Sequence, residues 1–286
     1  SYQGLYIGGS YVMHATLMDA DTGLALTDEN GNAYTADTVY TPTAGQGTVD
    51  VIFNVNTAHL VEATQHADGT ITYSPRRVVC YEYLYLVGVG TPCGPLLASH
   101  ADQNDEGQTV TVPNPEIGTQ FTDLQTSEHE TVSGRVVEVV DHCSFTGLHI
   151  GETYTLTCYL YDQTTGNRLV YSTGEDVVAV QSFVAEEESG TVDVTFTIDT
   201  SDLLVNYFAY EERTMVAFEY LRTANGILIG GHADLNDLEQ HTTPRLPILH
   251  TSIVDDQTGS REGRLGSAVP FTDTVSFTNV NIGETY

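Results

Sequence analysis

The chain has 286 residues and carries 39 acidic side chains against nine basic ones, for a formal net charge of −30. A field of that sign repels nucleic acid and anionic membrane surfaces and argues against either as a partner. All nine basic residues are arginine, so there is no lysine. No apolar run reaches the roughly 20 residues of a membrane span, and Ser1 opens no signal-peptide pattern, so this stretch is expected not to insert into a membrane.

Residues 1–112 read as short alternating runs bounded by turn signals such as Asp19-Ala20-Asp21-Thr22-Gly23. A later run, Val78 to Leu84, is apolar on both faces except for Glu82, and His100 is followed eight residues on by Gln108. Pro113-Asn114-Pro115 begins a short stiff linker, 113–117. Residues 118–243 then repeat the series. Val139, Asp141, Cys143 and Phe145 share one face of a strand; Thr153 to Tyr161 and Val192 to Ile198 alternate; Val216 to Leu221 is apolar except for Glu219; and His232 precedes Gln240 by eight. After a second linker at 244–247, residues 248–286 repeat the leading part alone, with Thr251 and Asp273 where the middle stretch has Thr119 and Asp141.

Self-similarity is the strongest signal. Ile7-Gly8-Gly9-Ser10-Tyr11 returns 143 positions later, and His100, Gln108, Thr119 and Asp141 each recur at a separation of 132. Both His motifs read H-A-D-x-N-D-x-x-Q. With strands throughout and no convincing amphipathic helix, the expected fold is all-β: tandem immunoglobulin-like sandwiches that lack the buried Trp of antibody domains, since the chain has no Trp. The first domain begins without its leading strands, and the tail consists of those strands. Head and tail are therefore complementary. The expectation is that the tail of one molecule adds its strands to the head of the next, with folding back inside one chain the lesser option. Four cysteines fall as Cys80 with Cys93 and Cys143 with Cys158; they read equally as disulfides of an extracellular protein or as small buried hydrophobes.

An acid on a core face is unusual, and Glu82, Glu219, Asp141 and Asp273 all sit on such faces. Burying an unpaired carboxylate raises its pKa and leaves a neutral acid able to donate a hydrogen bond. Beside a Thr hydroxyl, a His and a Gln carboxamide, such an acid completes the parts needed for acyl transfer. His100 and His232, with their Asp neighbours, have a plainer reading as loops whose Asx side chains cap backbone groups, and a weaker one as hard-metal ligands, although the spacing fits no standard calcium loop; Glu82 and Glu219 read equally as ordinary buried acids paired with an Arg.

Together the Val-Ala-Phe-Glu stretch at 216–219, the H-A-D-x-N-D-x-x-Q motif and the Ile-Gly-Glu-Thr-Tyr strand resemble the VaFE-repeat, or Thr-Gln ester-bond, domains of Gram-positive surface adhesins, which have collagen-adhesin B-type sandwich folds. The resemblance implies a spontaneous ester between Thr119 and Gln240 with release of ammonia. His232 would deprotonate the Thr, Asp141 would assist near the nucleophile, and Glu219 would be the buried acid donating to the oxyanion or leaving group. It gives the first domain Glu82, His100 and Gln108, and assigns the missing roles to Thr251 and Asp273. Absence of lysine rules out the Lys isopeptide of related adhesin domains. The implied protein is a wall-anchored, extracellular stalk that needs no cofactor or metal and reacts once per bond, so it is not an enzyme in the usual sense. Its partners would be copies of itself and a host ligand that the sequence does not identify. Two other classes compete: an uncrosslinked acidic adhesive module, stabilised by calcium, and a metal-dependent hydrolase, which would need an open pocket.

Overall fold

In the computed structural model, residues 1–87, 94–206 and 211–285 are described; Cys93, and with it the Cys80–Cys93 pairing, lies outside them. The chain divides into two compact units, 1–64 with 72–114, and 65–71 with 115–286. Among the described residues, helix is confined to Thr57–Leu60, Thr200–Asn206 and two single 3₁₀ turns.

The first unit is built on one five-stranded antiparallel sheet. Its strands are β1 (Tyr11–Asp19), β2 (Thr35–Tyr40), β3 (Arg76–Leu86), β4 (Leu96–His100) and β5 (Thr109–Val112), in the order β2-β1-β3-β4 with β5 also on β3. A second sheet is all but missing. Residues 48–55 keep the alternation of a strand, with Val49, Val51, Phe53 and Val55 half-buried and the residues between them exposed, yet form no ladder. Among the described residues the segment 48–55 has no strand to pair with, and apart from the two-residue pairing of Tyr2–Gln3 with Gln46–Gly47 the unit shows one sheet rather than the expected sandwich.

The second unit has both sheets. One consists of β6 (Glu116–Gly118) and β7 (Phe121–Asp123), both paired to one side of β9 (Val137–Thr146), with β12 (Gly190–Ile198) on the other side. The facing sheet runs β8 (Glu130–Val132), β15 (His241–Arg245), β13 (Met215–Thr223), β10 (Thr153–Asp162), β11 (Val178–Val184), with β14 (Leu228–His232) also on β13. All pairs are antiparallel except β8 with β15. The result is an immunoglobulin-like sandwich, the fold class expected.

Each sheet turns its apolar side inward. Phe121, Val139, Cys143, Val194 and Phe196 on the inner face of one sheet lie opposite Leu156, Cys158, Leu160 and Leu221 on the inner face of the other, all of them buried. Fully burying such a side chain is worth about 1.5–3 kcal/mol. Strand β13 is buried on both faces from Met215 to Leu221, because residues 65–71 cover its outer side and Gly69 O accepts the Tyr220 hydroxyl at 2.7 Å. The Asp-x-x-x-Gly turns are locked from within: Asp162 Oδ1 accepts from Thr164 N at 3.1 Å, and Gly166 closes the turn at φ +67°, a conformation other residues adopt only with strain.

The tail forms an antiparallel hairpin of β16 (Ile248–Asp255) and β17 (Phe271–Thr278), almost wholly exposed. Its register reproduces that of β7 on β9: Ile253 opposes Asp273 as Phe121 opposes Asp141.

Candidate functional site

The site of the second unit draws on both sheets. Thr119 lies in the two-residue break between β6 and β7, at the start of the unit, and its hydroxyl donates a very short hydrogen bond to Asp141 Oδ1. Asp141 is fully buried on β9. Its other oxygen accepts from the Cys143 thiol at 3.2 Å.

Across the core, β13 presents Glu219, also fully buried. Burial, the charge of Asp141 and a hydrogen bond with it push the Glu219 carboxyl well above the usual carboxylate range. One of its oxygens, Oε2, accepts from the Gln240 carboxamide at 2.8 Å, whereas Oε1 receives no donor from the rest of the protein. A carboxyl so buried, with one oxygen unpartnered, suits the neutral acid.

Gln240 ends the 3₁₀ turn Leu238–Gln240 at the close of the unit and is fully buried. Its Nε2 is ringed by acceptors: Ala217 O at 2.6 Å, Glu219 Oε2 at 2.8 Å and His232 O at 3.3 Å. Its carbonyl oxygen accepts from the backbone N–H of Asp234 at 3.2 Å. Nitrogen and oxygen of the carboxamide are therefore each held by groups matched to what they become: an amine that leaves, and an oxygen that gathers charge.

His232 stands opposite Glu219 in the ladder of β13 and β14. Its Nε2 pairs with Asp237 Oδ2 at 3.1 Å, and Nδ1 is buried without a partner. The structure brings Thr119 to Asp141 and Gln240 to Glu219, but gives the Thr119 hydroxyl Asp141 as its acceptor rather than His232. Asp237 and the Asp234 N–H are site components that had no role in the sequence reading. Both lie inside the H-A-D-x-N-D-x-x-Q motif, so the signal was present. Asp237 does two jobs, since Oδ1 also caps the 3₁₀ turn by accepting from Glu239 N at 3.0 Å. The motif's Asx residues do cap backbone groups, Asp105 in the first unit as Asp237 does in the second.

The first unit holds half of the same arrangement. Gln108 Nε2 donates a short hydrogen bond to Glu82 Oε2, Glu82 opposes His100 in the ladder, and His100 Nε2 pairs with Asp105 Oδ2 at 3.0 Å. Gln108 Oε1 is buried without a partner. Glu82, His100 and Gln108, with Val49, Val51, Phe53 and Cys80, line an open cleft. Thr251 and Asp273 lie exposed on the tail hairpin. One further group of potential metal ligands occurs among the described residues: Asp141, Cys143 and Cys158, within 4.8 Å of one another in the core of the second unit.

No curated protein matches the chain. Among solved structures, a bacterial adhesin from Mobiluncus mulieris containing intramolecular disulfide, isopeptide and ester bond cross-links is similar at 12% identity and TM-score 0.37, over 58% of this chain and 76% of that one. The major pilin subunit of Bacillus cereus is similar at 8% identity and TM-score 0.23, over 96% and 81% respectively. In sequence, residues 1–112, 115–243 and 247–286 each match the model of one family, described as the T-Q ester bond containing domain. Those three matches take in nearly the whole chain, and the chain belongs to that family.

Proposed function

We propose that this chain is part of the shaft of a cell-surface adhesin, and that its second unit crosslinks itself by an ester between Thr119 and Gln240 with release of ammonia. The observation that carries the proposal is the seating of each reactant on a fully buried acid of the same unit, the half-buried Thr119 hydroxyl on Asp141 and the buried carboxamide on Glu219.

The roles follow from what each atom touches. Asp141 takes the hydroxyl proton as Thr119 Oγ1 adds to the carboxamide carbon of Gln240. The Asp234 N–H supports the oxygen as it becomes an oxyanion. Glu219, neutral beforehand, gives its proton to Nε2 as the C–N bond breaks and ammonia departs. Asp141 then passes the proton it gained to Glu219, which restores both acids. A carboxamide is a poor acylating agent, so fixed placement must supply the rate; well-oriented intramolecular partners reach effective molarities on the order of 10⁵–10⁸ M. The same burial afterwards keeps water from the ester. His232, held by Asp237, keeps the motif loop and its own carbonyl on the carboxamide. Each site reacts once, so there is no turnover.

Such a bond ties the start of the sandwich to its end. Load applied along the chain then passes through the crosslink, and the strands between need not unfold. Intact mass under denaturing conditions tests the reading: the wild-type chain should be lighter than its sequence by one ammonia, and Thr119→Ala should have its full sequence mass. A wild-type chain of unaltered mass would overturn the proposal.

Complementary halves favour a second crosslink. The cleft beside Gln108 lacks a strand, and β16–β17 hold Thr251 and Asp273 in the register that Thr119 and Asp141 occupy. We infer that a hairpin of this kind completes such a unit, so that Thr251 of one copy esterifies Gln108 of another. A denaturing gel should show a ladder of covalent multimers; monomer alone, with Gln108 a free carboxamide by peptide mapping, would refute the link.

A further inference from the structure

Cys143 and Cys158 stand beside the ester site without a part in its chemistry. Cys143 is on β9, on the same face as Asp141, and Cys158 is on β10 of the opposite sheet, across the ladder from Glu219. Both are fully buried, and their sulfur atoms lie within 4.8 Å of each other. They thus meet across the sandwich, as the paired cysteines of antibody domains do. The internal repeat adds a second observation. At the separations that superpose the repeats, Cys143 falls on Val275 and Cys158 on Ala15. Both thiols occur together in the complete unit, and the matching positions are apolar in the tail (Val275) and in the first unit (Ala15), so neither thiol occurs without the other.

We propose that Cys143 and Cys158 form a disulfide that joins the two sheets of the second unit, a staple separate from the Thr119–Gln240 ester. Two S–H bonds break and one S–S bond forms. The protein loses two protons and two electrons, which pass by thiol–disulfide exchange to an oxidoreductase or a small-molecule disulfide, itself reduced to two thiols. Burial, together with the acids close by, pushes Cys158 up to about 12, and Cys143 is pushed up as well by its hydrogen bond to Cys158, by burial and by Asp141. Little thiolate is available once the sheets have closed. Oxidation therefore belongs to folding, before the ester seals the unit. A metal is the less suitable occupant: three ligands fall short of the four of a structural zinc site, and Asp141 is already engaged by Thr119.

The test is to refold the full chain in an oxidised and reduced glutathione couple, unfold it without reductant, alkylate with iodoacetamide and map the peptides. The expected result is a linked Cys143–Cys158 peptide pair, lighter by two hydrogens, that accepts the label only after reduction. Alkyl groups on both residues without reductant, linkage of either to Cys80 or Cys93, or free thiols holding stoichiometric zinc would each overturn the proposal. Thr119→Ala should keep the linked pair while retaining the ammonia, so loss of the disulfide and loss of the ester are read separately. In that variant, oxidation should raise the melting temperature by roughly 5–10 °C. The double variant Cys143→Val/Cys158→Ala, which carries the residues of the other repeat, should lack the linked pair and still lose ammonia.

Discussion

The two units carry one motif in two states, and the contrast shows what the motif needs. In the second unit Gln240 is fully buried, its carbonyl oxygen has the Asp234 N–H, and a Thr–Asp pair faces it from the opposite sheet. In the first unit Gln108 has its acid and its His–Asp pair, but its carbonyl oxygen is buried without a donor and no opposite sheet closes over it. The motif loop thus folds by itself, from Asx caps and one ladder. In the proposed reaction the environment is a property of the whole sandwich, because the second sheet brings Thr119 and Asp141.

Removing the bond in the complete unit should have the largest effect. Gln240→Ala or Thr119→Ala abolishes the mass loss. It also releases a loop of about 120 residues, for which chain entropy gives somewhat under 5 kcal/mol of lost stability. Denaturant unfolding should show a fall of that order in the second unit, and the matching Gln108→Ala change should leave the stability of an isolated chain almost unchanged. A similar fall for both would remove the distinction between the units.

Proton acceptance by Asp141 is the next point of attack. Asp141→Asn should slow ester formation by about 10²–10⁴-fold, the usual worth of a positioned base, with His232→Ala milder, as followed by intact mass against time. The reverse order would return the role of base to His232.

Much of this was legible in the residues. The repeat separations, the acids on core faces and the alternation of Thr153 to Asp162 led directly to sandwiches and to Glu219, Asp141 and Gln240. What could not be read was contact across the core. Sequence spacing places Thr119 and Asp141 on neighbouring strands, but says nothing of whether a hydroxyl donates to a carboxylate or to an imidazole. Nor could alternation at 48–55 reveal that the segment would have no partner: a strand pattern describes one face of one segment, whereas a ladder needs a neighbour. Asp237 was hidden by a different cause, since an Asp that caps a turn and an Asp that orients a His look alike in one dimension.

The raised carboxyl of Glu219 separates the units by pH. A group whose folded pKa lies above its unfolded value near 4.5 binds more protons in the folded state across that interval. Stability is therefore fullest at low pH and declines as pH rises from about 4.5 toward the folded value. In Thr119→Ala, where no ester masks unfolding, the melting temperature should fall over that window, and adding Glu219→Gln should flatten the slope. Ester formation in the wild type should slow over the same range as Glu219 loses the proton it delivers.

The smallest expected effect belongs to Asp237. Replacing it with Asn leaves an amide able to cap Glu239 N through its oxygen but removes the charge that holds His232 Nε2. If His232 serves to position the loop, Asp237→Asn should slow ester formation only a few-fold, as followed by intact mass against time. A loss of ester formation in Asp237→Asn as deep as in Asp141→Asn would instead make the His–Asp pair part of the proton path, and the half-site of the first unit would then hold every proton-handling group except Asp141's counterpart.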